Sequence, residues 1–236
     1  MHNVHMKAYV INLNSRTDRW DSVEKQSQAL GIPLIRVDAI SKHEVPAEPF
    51  VTSAVAAAWY SHKKAMSSFL ATEDKYALIL EDDFVLRSRW SNFDFSKYQS
   101  LDIDFLQIGY LVTTPLDLLE MKIKGSADLF LKILTWVSHT RVIKKTNLRK
   151  KVLIREQSDL PFHLVASDIR PGAHAYIVSR SFALAMQQIN SPVILSTDAL
   201  YIALGWMRSF RFVRLRRSVV SQSDSITSID ERFSSL

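Results

Sequence analysis

The 236-residue chain carries 30 lysines and arginines against 24 aspartates and glutamates, a formal net charge of +6, and 47% of its residues are hydrophobic. That apolar fraction supports a sizeable core, so disorder over most of the chain is excluded, as are collagen-like or low-complexity architectures with only five glycines and seven prolines. The absence of cysteine excludes disulfide frameworks, thiolate metal sites and cysteine nucleophiles, and no apolar run approaches the roughly 18 residues of a spanning helix.

The start, MHNVHMKAYVINLNSR, has no basic-then-apolar leader pattern and runs directly into a predicted strand, Lys7 to Leu13, so a cytoplasmic location is expected. Ser15 and Thr17 are candidate caps for a helix reaching Leu30, where Gly31 and Pro33 stop it. Leu34 to Val37 is a second strand, and this β-α-β spacing predicts a parallel pair with a right-handed crossover. Residues 41–50, with two prolines and several charges, read as a loop. A long helix follows from about Ser53 to Ala71, with Val55, Trp59, Met66 and Phe69 or Leu70 on its apolar face. Tyr76 to Leu80 is a continuous apolar run, hence a strand buried on both faces, and Phe105 to Ile108 is another short strand closed by Gly109.

Residues 111–160 show no sustained period and are expected to form an irregular insertion in a single domain spanning 1–236. Between Lys122 and Arg155 ten basic residues face Asp128 alone. Patterning returns with a strand at His174 to Val178, a helix capped by Ser179 and running to Ile189, a helix capped by Thr197 and running to Leu204, and a strand at Arg211 to Leu215. The serine-rich tail from Ser221 reads as loosely ordered.

Glu81-Asp82-Asp83 is the sharpest chemical feature. Three carboxylates directly after a buried strand lie at the strand's carboxyl end, where open α/β sheets bind ligands, and hard oxygen donors suit Mg²⁺ or Mn²⁺. A solvated acidic turn is the plainer alternative. His62 falls on the apolar face of the long helix, a position that more often holds a hydrogen-bonded core histidine than a ligand or base, and Ser61 beside it can bond back to a helix carbonyl. Arg16, Asp18 and Arg19 follow the first strand at a helix N-terminus that favours anions. Asp198 lies on the first turn of its helix, where it complements the dipole or serves as a second functional carboxylate. The chain contains no G-x-G-x-x-G, P-loop, G-x-S-x-G or H-E-x-x-H pattern.

Six segments, YVINLNSRTDRW, RVDAI, AAAWYSHKKAM, YALILEDDF, GAHAYIVSRSFALAM and STDALYIALG, occur in the order seen in glycosyltransferase family 25, and the chain resembles that family over about residues 7–85 and 172–225. The family includes lipooligosaccharide galactosyltransferases of Gram-negative bacteria and collagen galactosyltransferases. The resemblance implies an α/β, GT-A-like nucleotide-sugar transferase fold with a central, mainly parallel sheet flanked by helices. It also implies a UDP-sugar donor, typically UDP-galactose, and inversion at the anomeric carbon. Residue by residue, Asp83 matches the direct metal ligand, with Glu81 beside it and nearer the ribose. Asn12, Arg16 and Asp38 match segments lining the nucleotide site, and Ser61 and His62 match a Ser-His pair. Asp198 matches an aspartate near the acceptor side and is the first candidate for the base, with Asp82 the second.

These expectations describe a metal-dependent hexosyltransferase acting on a glycan or glycolipid acceptor, in lipooligosaccharide or lipopolysaccharide biosynthesis. The basic stretch fits an anionic acceptor or a peripheral contact with the inner membrane face, and no nucleic-acid partner is expected. A metal-dependent phosphoryl-transfer enzyme or nuclease, or a non-catalytic binder of anionic surfaces, remains the alternative.

Overall fold

The computed structural model describes residues 6–111, 162–166, 168–207 and 210–223. Nearly all of the predicted insertion, the whole basic stretch 122–155 and the tail from residue 224 lie outside the described residues.

Strand β1 (Met6–Asn12) pairs in parallel with β2 (Leu34–Asp38) on one side and β3 (Tyr76–Glu81) on the other. Helix α1 (Thr17–Leu30) makes the first crossover and ends on Gly31, whose left-handed backbone (φ 67°) returns its N–H to the Ser27 carbonyl. Its N-cap is Arg16, with no side-chain cap bond, so neither Ser15 nor Thr17 performs the predicted capping; the Arg16 N–H instead bonds the Leu13 carbonyl in a tight turn. Helix α2 (Ser53–Leu70) is capped by Thr52, whose hydroxyl accepts from the Val55 N–H.

The remaining strands are β4 (Phe84–Leu86), β5 (Phe105–Gly109), β6 (Leu164–Ala166), β7 (Ala175–Ser179), β8 (Phe212–Leu215) and β9 (Val220–Gln222), and the main path of the sheet runs β2-β1-β3-β7-β5-β8-β6. Strand β7 is antiparallel to both β3 and β5, so β3 and β5 share a direction. Strands β8 and β9 follow β5, while β6 and β4 run against their neighbours. Six strands of this nine-stranded sheet therefore point one way: the mainly parallel sheet expected.

Alternation along the strands sends Tyr9, Ile11, Ile79, Phe105 and Tyr176 to one face and Ala8, Val10, Leu78, Leu106 and Ile177 to the other. The first face is covered by α2, α3 (Arg180–Met186) and α4 (Thr197–Met207), and the second by α1, β4 and the segment around Trp90, Phe95 and Tyr98. Helix α3 ends three residues before the predicted Ile189, and α4 continues beyond Leu204 to Met207. Thr197 lies inside α4; the hydroxyl of Ser196 accepts from the Ala199 N–H and supplies the cap predicted one residue later. Strands β4, β6 and β9 were not predicted, because three-residue elements carry too little period to register in sequence.

Candidate functional site

Parallel register gathers the candidate residues on one edge. Asn12 lies opposite Asp38, and Ile11 opposite Glu81, so the ends of β1, β2 and β3 sit side by side. Asp82 and Asp83 form the turn between β3 and β4. The Asp83 carbonyl accepts from the Ser223 N–H at 2.7 Å, which ties that turn to the end of β9.

Asp82 and Asp83 are both buried. Asp82 accepts from Asn12 Nδ2 at 2.7 Å through one oxygen and from Arg19 Nη1 at 2.8 Å through the other. Asn12 is itself saturated: its Oδ1 accepts from Arg36 Nη2 at 2.6 Å, and its Nδ2 also donates to the Arg16 carbonyl. Asn12 is thus a strut that ties the loop after β1 to the β3–β4 turn, and Asp82, second candidate for the base, is an engaged anchor.

Asp83 has weaker company. Gln222 Nε2 lies 3.5 and 3.4 Å from its two oxygens and 3.3 Å from Glu81 Oε2, while Arg19 stands 3.9 Å away. Burial, then the neighbouring Glu81 charge, push the Asp83 carboxyl up to about 7. A cavity of about 200 Å³ opens here, with Arg16, Arg19, Asp82, Asp83 and Ser223 in its wall. Arg16 pairs with Asp18 through two bonds of 2.9 and 2.8 Å, which hold the Asp18 carboxyl down to about 2.

His62 is buried at 2% exposure, its Nδ1 2.8 Å from the Tyr176 hydroxyl and its Nε2 3.3 Å from Glu81 Oε1. It is both the hydrogen-bonded core histidine and a neighbour of the acidic run. Ser61 accepts from the Ile40 N–H and donates to the Ala57 carbonyl, pinning the loop after β2 to α2. Asp38 is exposed at the end of β2, and its carbonyl accepts from Lys64 Nζ. Asp198 Oδ2 accepts from the Gly172 N–H at 3.0 Å; burial raises the Tyr176 and Tyr201 phenols, and the charges of Asp198 and Glu81 add to that shift.

The geometry thus brings Asn12, Arg16, Glu81, Asp82, Asp83 and His62 together, with Asp198 near the Tyr176–Tyr201 pair. Sequence reasoning missed Gln222, which lies in a tail read as loose, and Tyr176 and Tyr201, which fall inside a predicted strand and a predicted helix with no signal of their own. Arg19, three residues after Arg16 on the first turn of α1, carried a signal only as a helix-terminal charge. Among the described residues, no group of three or more His, Asp and Glu side chains is arranged to hold a metal ion, and no helix is long and apolar enough to cross a membrane.

The family model for glycosyltransferase family 25 (LPS biosynthesis protein) matches residues 5–201 of the chain. Among solved structures, the chain is similar to a glycosyltransferase involved in the glycosylation of the major capsid of PBCV-1, at 7% identity and a TM-score of 0.38. That similarity covers 77% of this chain and 63% of the other, so the present chain spans less than two thirds of its length. A search of curated proteins gives no match.

Proposed function

The chain belongs to glycosyltransferase family 25, and from that premise we propose that it transfers a hexose, galactose first, from a UDP-sugar to a glycan acceptor of lipooligosaccharide or lipopolysaccharide, with inversion. The observation that carries this reading is Asp83, buried beside Glu81 with its carboxyl pushed up to about 7, at a cavity whose wall includes Arg16 and Arg19. Anionic phosphates match the guanidinium groups, and the crowded carboxylate pair matches a hard cation.

The residues fit Mn²⁺ or Mg²⁺. Such ions take one or two carboxylates and leave other positions to phosphate and water, so Glu81 and Asp83 suffice on the protein side. When bound, the ion supplies charge stabilisation for the departing diphosphate. Arg16 and the α1 N-terminus bind and orient the donor's phosphates, while Arg19 and Asn12 hold Asp82 so that the turn carrying Asp83 keeps its place. Asp198, whose Oδ2 accepts from the Gly172 N–H, takes the proton of the attacking acceptor hydroxyl, with Asp82, held by Asn12 and Arg19, the second candidate for that base.

The donor assignment is tested by calorimetry with UDP, GDP and CMP in Mn²⁺; UDP is expected to bind tightest, and equal or tighter binding of GDP or CMP overturns it. Hydrolysis across a panel of UDP-sugars then reads the sugar. The basic stretch 122–155 serves an anionic acceptor or the membrane surface in this proposal. Reversing Lys144, Lys145, Lys150 and Lys151 to Glu is expected to weaken sedimentation with anionic liposomes or raise the acceptor KM while donor hydrolysis holds.

A further inference from the structure

We infer that Tyr176, oriented by Tyr201, fixes the tautomer of His62 so that its Nε2–H faces Glu81, making the two tyrosines positioning residues for the carboxylate end of the site. The tautomer follows from hydrogen-bond accounting alone; its consequence for donor binding rests on the function proposed above.

The accounting begins at Tyr201, whose hydroxyl donates to the Tyr176 oxygen at 3.0 Å. A phenol has one proton, and Tyr176, receiving that bond, sends its own to its other neighbour, His62 Nδ1, at 2.8 Å. Nδ1 is then an acceptor, so the neutral imidazole carries its proton on Nε2, which lies 3.3 Å from Glu81 Oε1. The opposite tautomer sets a bare ring nitrogen against a carboxylate oxygen, two acceptors facing each other in a buried place, which is unfavourable. The second Glu81 oxygen lies 3.3 Å from Gln222 Nε2, so the carboxylate is held from both sides.

The oxygens of the chain are kept in place by packing. Tyr176 and Tyr201 are almost completely buried, and that burial raises both phenols well above their ordinary range, so both stay protonated. Phe105 stacks on Tyr176 with ring centroids 5.0 Å apart and contacts Tyr201 at 4.8 Å, while the two tyrosines meet edge to face at 5.3 Å. None of these rings can shift its oxygen away from its hydrogen-bond partner without displacing a packed neighbour.

Two-bond ¹H–¹⁵N spectra of the full chain labelled at histidine, with His62 identified by its disappearance in His62→Gln, read the tautomer directly. Unprotonated Nδ1 and protonated Nε2 are expected near pH 7.5; an Nδ1–H ring or a doubly protonated ring overturns the inference. Tyr176→Phe removes the donor to Nδ1, so the Nε2–H tautomer is expected to give way to a mixture, with affinity for UDP and Mn²⁺ falling about tenfold or more. Tyr201→Phe leaves the Tyr176–His62 bond in place and is expected to change both readouts less. An unchanged His62 spectrum in Tyr176→Phe, or a changed spectrum with unchanged UDP affinity, overturns the positioning role. If UDP with Mn²⁺ binds neither wild type nor variants while the spectra behave as expected, the donor reading falls and the tautomer assignment stands.

Discussion

Asp82 and Asp83 are adjacent in sequence and equally buried, at 8% exposure each, yet the regions they face treat a negative charge differently. The α1 flank supplies Asp82 with a guanidinium at 2.8 Å and an amide at 2.7 Å, one partner for each oxygen. The β9 flank offers Asp83 only Gln222, a neutral amide shared with Glu81, while Arg19 of α1 reaches it at no nearer than 3.9 Å. One carboxylate is therefore an anchor and the next a weakly compensated group whose carboxyl is pushed up to about 7. Burial with full hydrogen bonding makes structure, whereas burial with a like-charge neighbour raises a carboxyl's pKa.

The sharpest way to break this comparison is to remove the Asp83 charge. Asp83→Asn is expected to cut turnover roughly a thousandfold or more at saturating Mn²⁺, read by steady-state kinetics. Its melting temperature at pH 8 should exceed that of wild type, because the buried like-charge contact is gone. The sign follows from linkage: the folded Asp83 titrates near 7, above its ordinary 3.8, so the folded state holds a proton that the unfolded state has released. Wild-type stability therefore falls as pH rises from about 4 to about 7 and then levels off, and the variant's melting curve lacks this component. Mn²⁺ should raise the wild-type melting temperature more at pH 8 than at pH 5, and that of Asp83→Asn at neither.

Exchanging the two base candidates separates anchor from catalyst. Asp198→Asn is expected to lower kcat about a hundredfold or more with donor affinity retained. Asp82→Asn is expected to lose more in melting temperature than in kcat; the reverse pattern returns the base role to Asp82. A smaller effect is expected from Arg19→Met, which leaves Asp82 with Asn12 alone. We expect a stability loss of roughly 1–3 kcal/mol, seen as a lower denaturant midpoint, and a further upward displacement of the Asp83 titration, since Arg19 is the cation that holds it down.

The β2-β1-β3 part of the sheet was legible because its signals are local. Continuous apolar runs at β1 and β3, Gly31 closing α1 and the acidic run directly after β3 each lie within a few consecutive residues. The six ordered segments were enough for the family resemblance, and the family match extends over residues 5–201. The cap at Ser196 and the early end of α3 differed by a few residues, as expected where several hydroxyl-bearing residues compete for one helix end.

By itself, then, the sequence determined the strand-helix alternation, the parallel core and the position of three carboxylates at a strand end, all dictated by period and by burial of apolar side chains. Only the tertiary structure decided which carboxylate is satisfied. That choice depends on Asn12, Arg19, His62 and Gln222, which reach the acidic run from four separate elements. Across those separations no local pattern records distance, and electrostatic energy depends on distance and burial rather than on composition.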